Sequence, residues 1–274
     1  MPDRPQVVAH RGASEVEAEH TLAAYRRAIA DGADALECDV RLTRDGVLVC
    51  VHDRRVDRTS TGRGPVSTLE LADLAELDFG SWHRGEPDAD GGQDWEAPDM
   101  DRRQVLTLER LLETVMDSDR RVELAIETKH PTRYAGLVEL TLADTLARFG
   151  LNRPEADGRW RARVMSFAMS SLRRMHALAP GLPTVYLMVR VPLRWRDGDL
   201  PAGVHAAGPS LRALRALPSY VERVHEHGHP LHVWTVDADE DVRYVLDLGV
   251  DVVITNRPEA VRRLVDERGV SFTA

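Results

Sequence analysis

From residue 6 to residue 268 the chain returns again and again to one pattern, a short apolar run followed by an amphipathic segment of helical spacing. QVVAH (6–10) precedes a helix opened by Thr21, with Leu22, Tyr25, Ala28 and Ile29 on one face and Gly32 closing it. DALECDV (34–40) follows, and GVLVCVH (46–52) reads as its hairpin partner after the turn signal RDG. Thr107 opens a helix carrying Leu108, Leu111, Leu112 and Val115, then come a strand at 121–128, a helix at 133–149, a strand at 162–168 and a helix at 170–178. Strands at 183–188 and 204–208 have a poor helix between them, and helix 219–227 leads to PLHVWTV (230–236). DADE (237–240) has the form of a capping box for a helix ending at Gly249, VDVVITN (250–256) is the last strand, and helix 258–268 ends the pattern.

Strand–helix alternation repeated about eight times in roughly 250 residues predicts a TIM (β/α)8 barrel. A doubly wound open sheet ranks second, because HRGAS after the first strand is not the glycine-rich phosphate loop that such sheets carry. Residues 53–105 break the rhythm. They are rich in Gly, Pro and Asp around one short helical piece, STLELADLAEL, and read as a small insertion in a single domain spanning 1–274, with 84–101 as a mobile surface loop.

One strand raises a chemical problem. In ALECDV, Glu37 and Asp39 share one face while Leu36, Cys38 and Val40 share the other. A buried, unpaired carboxylate costs several kcal/mol, and a like charge beside it adds to that. In a barrel the answer lies at the C-terminal ends of the strands, where catalytic groups gather. His10 and Arg11 follow the first strand, Glu37 and Asp39 lie on the second, and His52 ends its hairpin partner. Glu127 and Lys129 end the third, Trp234 lies near the end of the seventh, and Asn256 ends the eighth. Glu37, Asp39 and Glu127 offer only hard oxygen ligands, which suit Mg²⁺ or Ca²⁺ and not zinc. His10 and His52 suit an acid/base pair, and Arg11 and Lys129 complete an anion pocket fitted to phosphate. Trp234 is the candidate substrate contact whose ordinary role would be packing.

Composition narrows the partners. A formal net charge of −9 argues against a nucleic-acid partner, which needs a basic face. The two cysteines, Cys38 and Cys50, sit in strand runs and read as small core residues rather than a disulfide framework. No apolar run reaches the ~18 residues of a membrane span, and MPDRPQVVAHRG lacks the form of a secretory signal, so a cytoplasmic location is expected. Of 36 basic residues only Lys129 is lysine.

Taken together, HRG (10–12), ExD (37–39), the T.DG..V..HD run (43–53) and ExK (127–129) resemble the glycerophosphodiester phosphodiesterases. DRTSTGRGPVSTLELADLAELDFGSW (57–82) resembles that family's insertion, and VWTVD and GVDVVITNRPE resemble its last two strands. The resemblance implies a TIM barrel with metal ligands at Glu37, Asp39 and Glu127, paired catalytic histidines at His10 and His52, and substrate-contacting cations at Arg11 and Lys129. It implies a small-molecule glycerophosphodiester substrate, cleaved to sn-glycerol 3-phosphate and an alcohol such as choline or ethanolamine. Where the family usually has PENT this chain has AEHT (18–21), so His20 stands in place of an asparagine, a change expected to alter the loop and substrate fit rather than the core site. Two alternatives accompany this reading. One is a phosphodiesterase acting on lysophospholipids or forming cyclic phosphates, with Phe79 and Trp82 offered to lipid; the other is a phosphate-binding barrel without catalysis.

Overall fold

A computed structural model describes residues 4–83, 99–133 and 136–271. In chain order its strands are β1 (Gln6–His10), β2 (Ala35–Leu42), β3 (Leu48–Cys50), β4 (Glu123–Thr128), β5 (Ala162–Ser166), β6 (Thr184–Met188), β7 (Ala206–Pro209), β8 (His232–Val233) and β9 (Val252–Thr255). The helices are α1 (Leu22–Ala30), α2 (Leu71–Ala75), α3 (Met100–Arg103), α4 (Leu108–Met116), α5 (Leu137–Arg148), α6 (Met169–Leu178), α7 (Leu211–Ala216), α8 (Tyr220–Glu226), α9 (Asp239–Asp247) and α10 (Pro258–Ser271).

The parallel strands run β7-β6-β5-β4-β2-β1-β9-β8, and single bridges from Ala207 to Leu231 and from Ser210 to Trp234 bring β7 back to β8. This is a TIM barrel. β3 lies outside the ring, antiparallel to β2, as the RDG turn predicted. Side-chain alternation divides the packing. Leu36, Cys38 and Val40 point outward into an apolar layer shared with Leu108, Leu111 and Leu112 of α4 and Leu142 and Leu146 of α5. Val8, Ala35, Ala125, Met165, Val185 and Ile254 fill the interior of the barrel. Cys38 and Cys50 are buried free thiols.

Thr21 and Thr107 cap α1 and α4 as expected, each accepting a backbone N–H three residues on. The expected cap at 237–240 is not formed. α9 starts after Ala238 with no side-chain cap, because the Asp237 carboxylate is taken by Asn256 and Thr255. Helix α7, capped by Ser210, had no clear sequence signal, being only six residues long. Between β6 and β7 there is only a short 3-10 turn at Leu193–Trp195, in keeping with the weak helical pattern there.

The segment between β3 and α4 packs its own small core, with Phe79 buried against Val49, Val51, Val56, Val66 and Leu74. Phe79 is therefore not offered to a lipid, and Trp82, 38% exposed, donates its indole N–H to the Phe79 carbonyl. Most of the loop expected at 84–101 lies outside the described residues. Among the described residues no helix is long and apolar enough to cross a membrane.

Candidate active site

The register of the barrel puts the chemistry together. Asp39 pairs with Glu127 and His10 with Glu37 across neighbouring strands. All four residues stand at the C-terminal mouth. Ligand atoms of Glu37, Asp39 and Glu127 lie within 4.8 Å of one another, and all three side chains are buried. Burial and the Asp39 charge raise Glu37 well above the ordinary carboxylate range and push Glu127 up to about 8. Asp39 goes the other way: burial would raise it, but the His20 hydrogen bond together with Lys129 and Arg11 holds it well below. Its Oδ1 is buried with the Lys129 ammonium as its ion-pair partner. Three crowded, buried hard oxygen donors, two of them reluctant to ionise, are what a divalent cation of the Mg²⁺ or Ca²⁺ type would satisfy.

Cations frame this cluster. Lys129 Nζ lies 2.7 Å from Glu127 Oε1 and 3.2 Å from Asp39 Oδ1. Arg11 Nε lies 3.1 Å from Asp39 Oδ2, and the Arg11 backbone N–H donates to Glu37 Oε2 at 3.0 Å. The turn that aims Arg11 is tight. Arg11 has φ +58°, and Gly12 has φ +89° with the Ala24 backbone 2.7 Å from where a Cβ would sit, so only glycine fits.

Each predicted histidine is held by an acceptor on Nδ1. Asn256 Nδ2 donates to Asp237 at 2.7 Å, which turns Oδ1 of the same amide toward His10 Nδ1, also at 2.7 Å. His10 Nδ1 is therefore the protonated nitrogen and Nε2 keeps its lone pair. Burial and the adjacent Arg11 charge push His10 down to about 4, so the ring is neutral near pH 7. His52 Nδ1 donates to Asp53 Oδ1 at 2.7 Å. Burial, Arg11 and Lys129 lower His52 from its ordinary value, against the opposing pull of Asp39 and Asp53.

Sequence reasoning missed several members of this network. His20 does not stay at the margin of the site. It is buried in a left-handed conformation, its Nε2–H donates to Asp39 Oδ2 at 2.9 Å, and its Nδ1 meets the Tyr25 hydroxyl at 2.8 Å. The same hydroxyl lies 3.0 Å from the Glu37 carbonyl. The only signal was a histidine in place of asparagine immediately before the Thr21 cap. Arg58, from the segment after β3, bonds Asp53 at 2.6 Å and Glu19 at 2.7 and 2.9 Å, and Glu19 in turn bonds Arg11. Burial opposes ionisation of Glu19, but Arg58 and Arg11 outweigh it and hold its carboxyl at about 2. Trp234 stands apart from the acidic cluster. Its indole N–H donates to the Gly208 carbonyl at 2.7 Å, and its ring meets Phe167 edge-on at 5.3 Å. Phe167 lies 5.8 Å below Lys129 Nζ, so the aromatic pair forms a wall of the mouth.

Comparison with known proteins agrees with this geometry. Residues 10–260 match the model of the glycerophosphoryl diester phosphodiesterase family. A probable glycerophosphodiester phosphodiesterase 1 of Mycobacterium tuberculosis is 45% identical over 97% of this chain and 94% of its own length. A glycerophosphodiester phosphodiesterase of Bacillus subtilis is 34% identical over 96% of this chain and 87% of its own. Among solved structures, an Oleispira antarctica phosphodiesterase in complex with the product sn-glycerol-3-phosphate shares the fold with a TM-score of 0.80, at 23% identity over 96% of this chain and 97% of that one. The fold, the match across nearly the whole chain and the 45% identity to a named relative agree: this chain belongs to the glycerophosphoryl diester phosphodiesterase family.

Proposed function

We propose that this protein is a metal-dependent hydrolase of glycerophosphodiesters that releases sn-glycerol 3-phosphate and the head-group alcohol, such as choline or ethanolamine. The observation that carries the reading is the convergence of Glu37, Asp39 and Glu127 between two histidines, each oriented through Nδ1. Those three carboxylates would hold the cation, Mg²⁺ or Ca²⁺ by donor type. When bound, such a cation polarises the phosphoryl oxygens and offsets the charge that develops on them.

Arg11 and Lys129 add fixed positive charge beside the same oxygens, in a mouth that is mostly closed to water. His10 is neutral with a free Nε2 lone pair, which fits it to take the proton from the attacking oxygen. That oxygen belongs to water or to the glycerol 2-hydroxyl, the latter giving a cyclic phosphate that water then opens. His52 returns a proton to the leaving alkoxide. Its Asp53 partner and the anionic substrate both favour the imidazolium this step needs. Trp234 and Phe167 offer an apolar wall to the substrate.

The reading extends to the whole chain: one catalytic unit over 1–274, with 53–105 inserted to deliver Arg58, acting in the cytoplasm on the water-soluble remains of phospholipids. The test is release of glycerol 3-phosphate from glycerophosphocholine with and without divalent cation. No release at any cation concentration would overturn it.

A further inference from the structure

We propose that a cationic cleft beside Lys129 is a subsite for a phosphate carried on the head-group half of the substrate, an inference that rests on the phosphodiesterase reading above. The cleft is open to solvent and lies between the end of β2, the segment after β3 and the loop that follows β4, with about 360 Å³ of non-atom space counting the solvent at its opening. Lys129, Arg41, Arg54 and Arg133 line it, with the hydroxyl residues Ser67 and Thr132, and no carboxylate is among its lining residues. In a chain of net charge −9 that pattern selects for an anion.

The donors are arranged for one. Arg41 lies on the same strand face as Glu37 and Asp39, four and two positions further toward the mouth. Its Nε and Nη2 donate to the His52 carbonyl at 3.0 and 2.7 Å, which fixes the guanidinium and leaves Nη1 without a hydrogen-bond partner among the described residues. Arg54 is exposed and makes no ion pair or side-chain hydrogen bond among the described residues. Asp53, the acid next to it in sequence, is occupied by His52 and Arg58. Lys129 stands on the boundary, with its ammonium on Asp39 and Glu127 and its side chain part of the cleft wall. A diester bound at the acidic cluster would therefore meet guanidinium groups directly beyond Lys129. Guanidinium forks bind phosphate oxygens and repel the quaternary ammonium of choline, so the same cleft favours head groups bearing a second phosphate and disfavours cationic ones.

The experiment compares 1,3-bis(glycerophospho)glycerol with glycerophosphocholine. Wild type should turn over the first with kcat/KM at least about tenfold higher, and the double variant Arg54→Glu with Arg133→Glu should erase that preference while glycerophosphocholine stays within about threefold. Arg54→Gln with Arg133→Gln should fall between. An equal loss on both substrates, or an unchanged ratio, overturns the subsite. Calorimetric titration of both compounds into the chelated protein separates the two layers of inference. Tighter binding of the bis-phosphate compound, with no turnover of either compound once Mg²⁺ or Ca²⁺ is restored, would sink the enzymatic reading and leave the subsite, whereas equal binding would sink the subsite. Inorganic phosphate forms the last arm. If the charge reversals abolish its binding without altering the substrate ranking, the cleft holds free phosphate only and the proposal falls.

Discussion

The two ends of this barrel handle buried charge in opposite ways. At the mouth, Glu37, Asp39 and Glu127 crowd together, and two of the three are pushed toward their protonated forms. At the base, Glu123, the first residue of β4, has company of the other sign. It accepts from Gln6 at 2.8 Å and from Arg163 at 3.1 Å, and Arg121 bonds its second oxygen. Arg163 also donates to Gln6 Oε1 at 2.8 Å, which closes the polar set. Burial alone would raise Glu123, but Arg163, Gln6 and Arg121 bring it below its ordinary value. At the base the acid is met by partners within the chain, although Arg163 Nε and His232 Nδ1 stay buried without a hydrogen bond, while at the mouth three carboxylates share Lys129 and Arg11 in an arrangement that fits one further cation. Under the proposed function, stability is served at one end and the crowded carboxylates of the other are kept for a cation.

The comparison breaks most visibly on removing metal. EDTA should abolish hydrolysis of glycerophosphocholine, and Mg²⁺ or Ca²⁺ should restore it; full activity in the chelated protein would show that the mouth needs no cation. Glu37→Gln, Asp39→Asn and Glu127→Gln should each weaken metal binding in calorimetry. Next in size, replacing His10 or His52 with alanine should cost about 10²–10⁴ in turnover with little change in substrate affinity, the range for lost acid–base catalysis. Single-turnover rates would reveal whether either ring is dispensable.

Stability should then separate the two ends. Arg163→Met breaks a buried ion pair and should cost about 3 kcal/mol in urea unfolding with kcat nearly unchanged. In metal-free protein Glu127→Gln should instead raise the melting temperature, because it removes a crowded carboxyl. Two losses of stability would mean that the mouth is as self-sufficient as the base.

The pH dependence follows with opposite signs. A carboxyl raised by folding contributes stability that is full below its unfolded pKa and lost as pH rises, so Glu127 weakens the metal-free protein from pH 4.5 up to about 8. At the base, burial and Arg163 hold His232 well below its ordinary 6.5, a contribution that is full above pH 6.5 and lost as pH falls below it. Added Mg²⁺ should therefore raise the melting temperature more at pH 8 than at pH 5, and the reverse ordering would contradict the assignment of the cluster.

The smallest effects sharpen the mouth itself. Lys129→Arg should keep fold and metal binding but lose at least about tenfold in kcat/KM, because a planar fork replaces a compact ammonium between Glu127 and Asp39. His20→Asn keeps a group near the Tyr25 hydroxyl but is too short to reach Asp39, and His20→Gln does the converse. The asparagine variant should bind metal a few-fold more weakly than the glutamine variant, on the order of 1 kcal/mol. Identical affinities would make His20 a packing residue only.

What the sequence alone determined were the features written in local order. Strand–helix alternation predicted the barrel because the two periods, near two and near 3.6, are set by neighbours along the chain. ExD, ExK and the two histidines could be placed at one rim because strand alternation says which way each side chain points. Tertiary structure alone decided the connections between distant segments. Asp237 has the local context of a helix cap, yet it turns to Asn256, which fixes the proton on His10 although the two lie 246 positions apart in the chain. Arg58 ties Asp53 to Glu19, and His20 reaches across a left-handed turn to Asp39. No periodicity encodes such pairs. They arise because closing the ring brings strand ends together in space, and each buried polar group must then find whichever partner the closed barrel puts within reach.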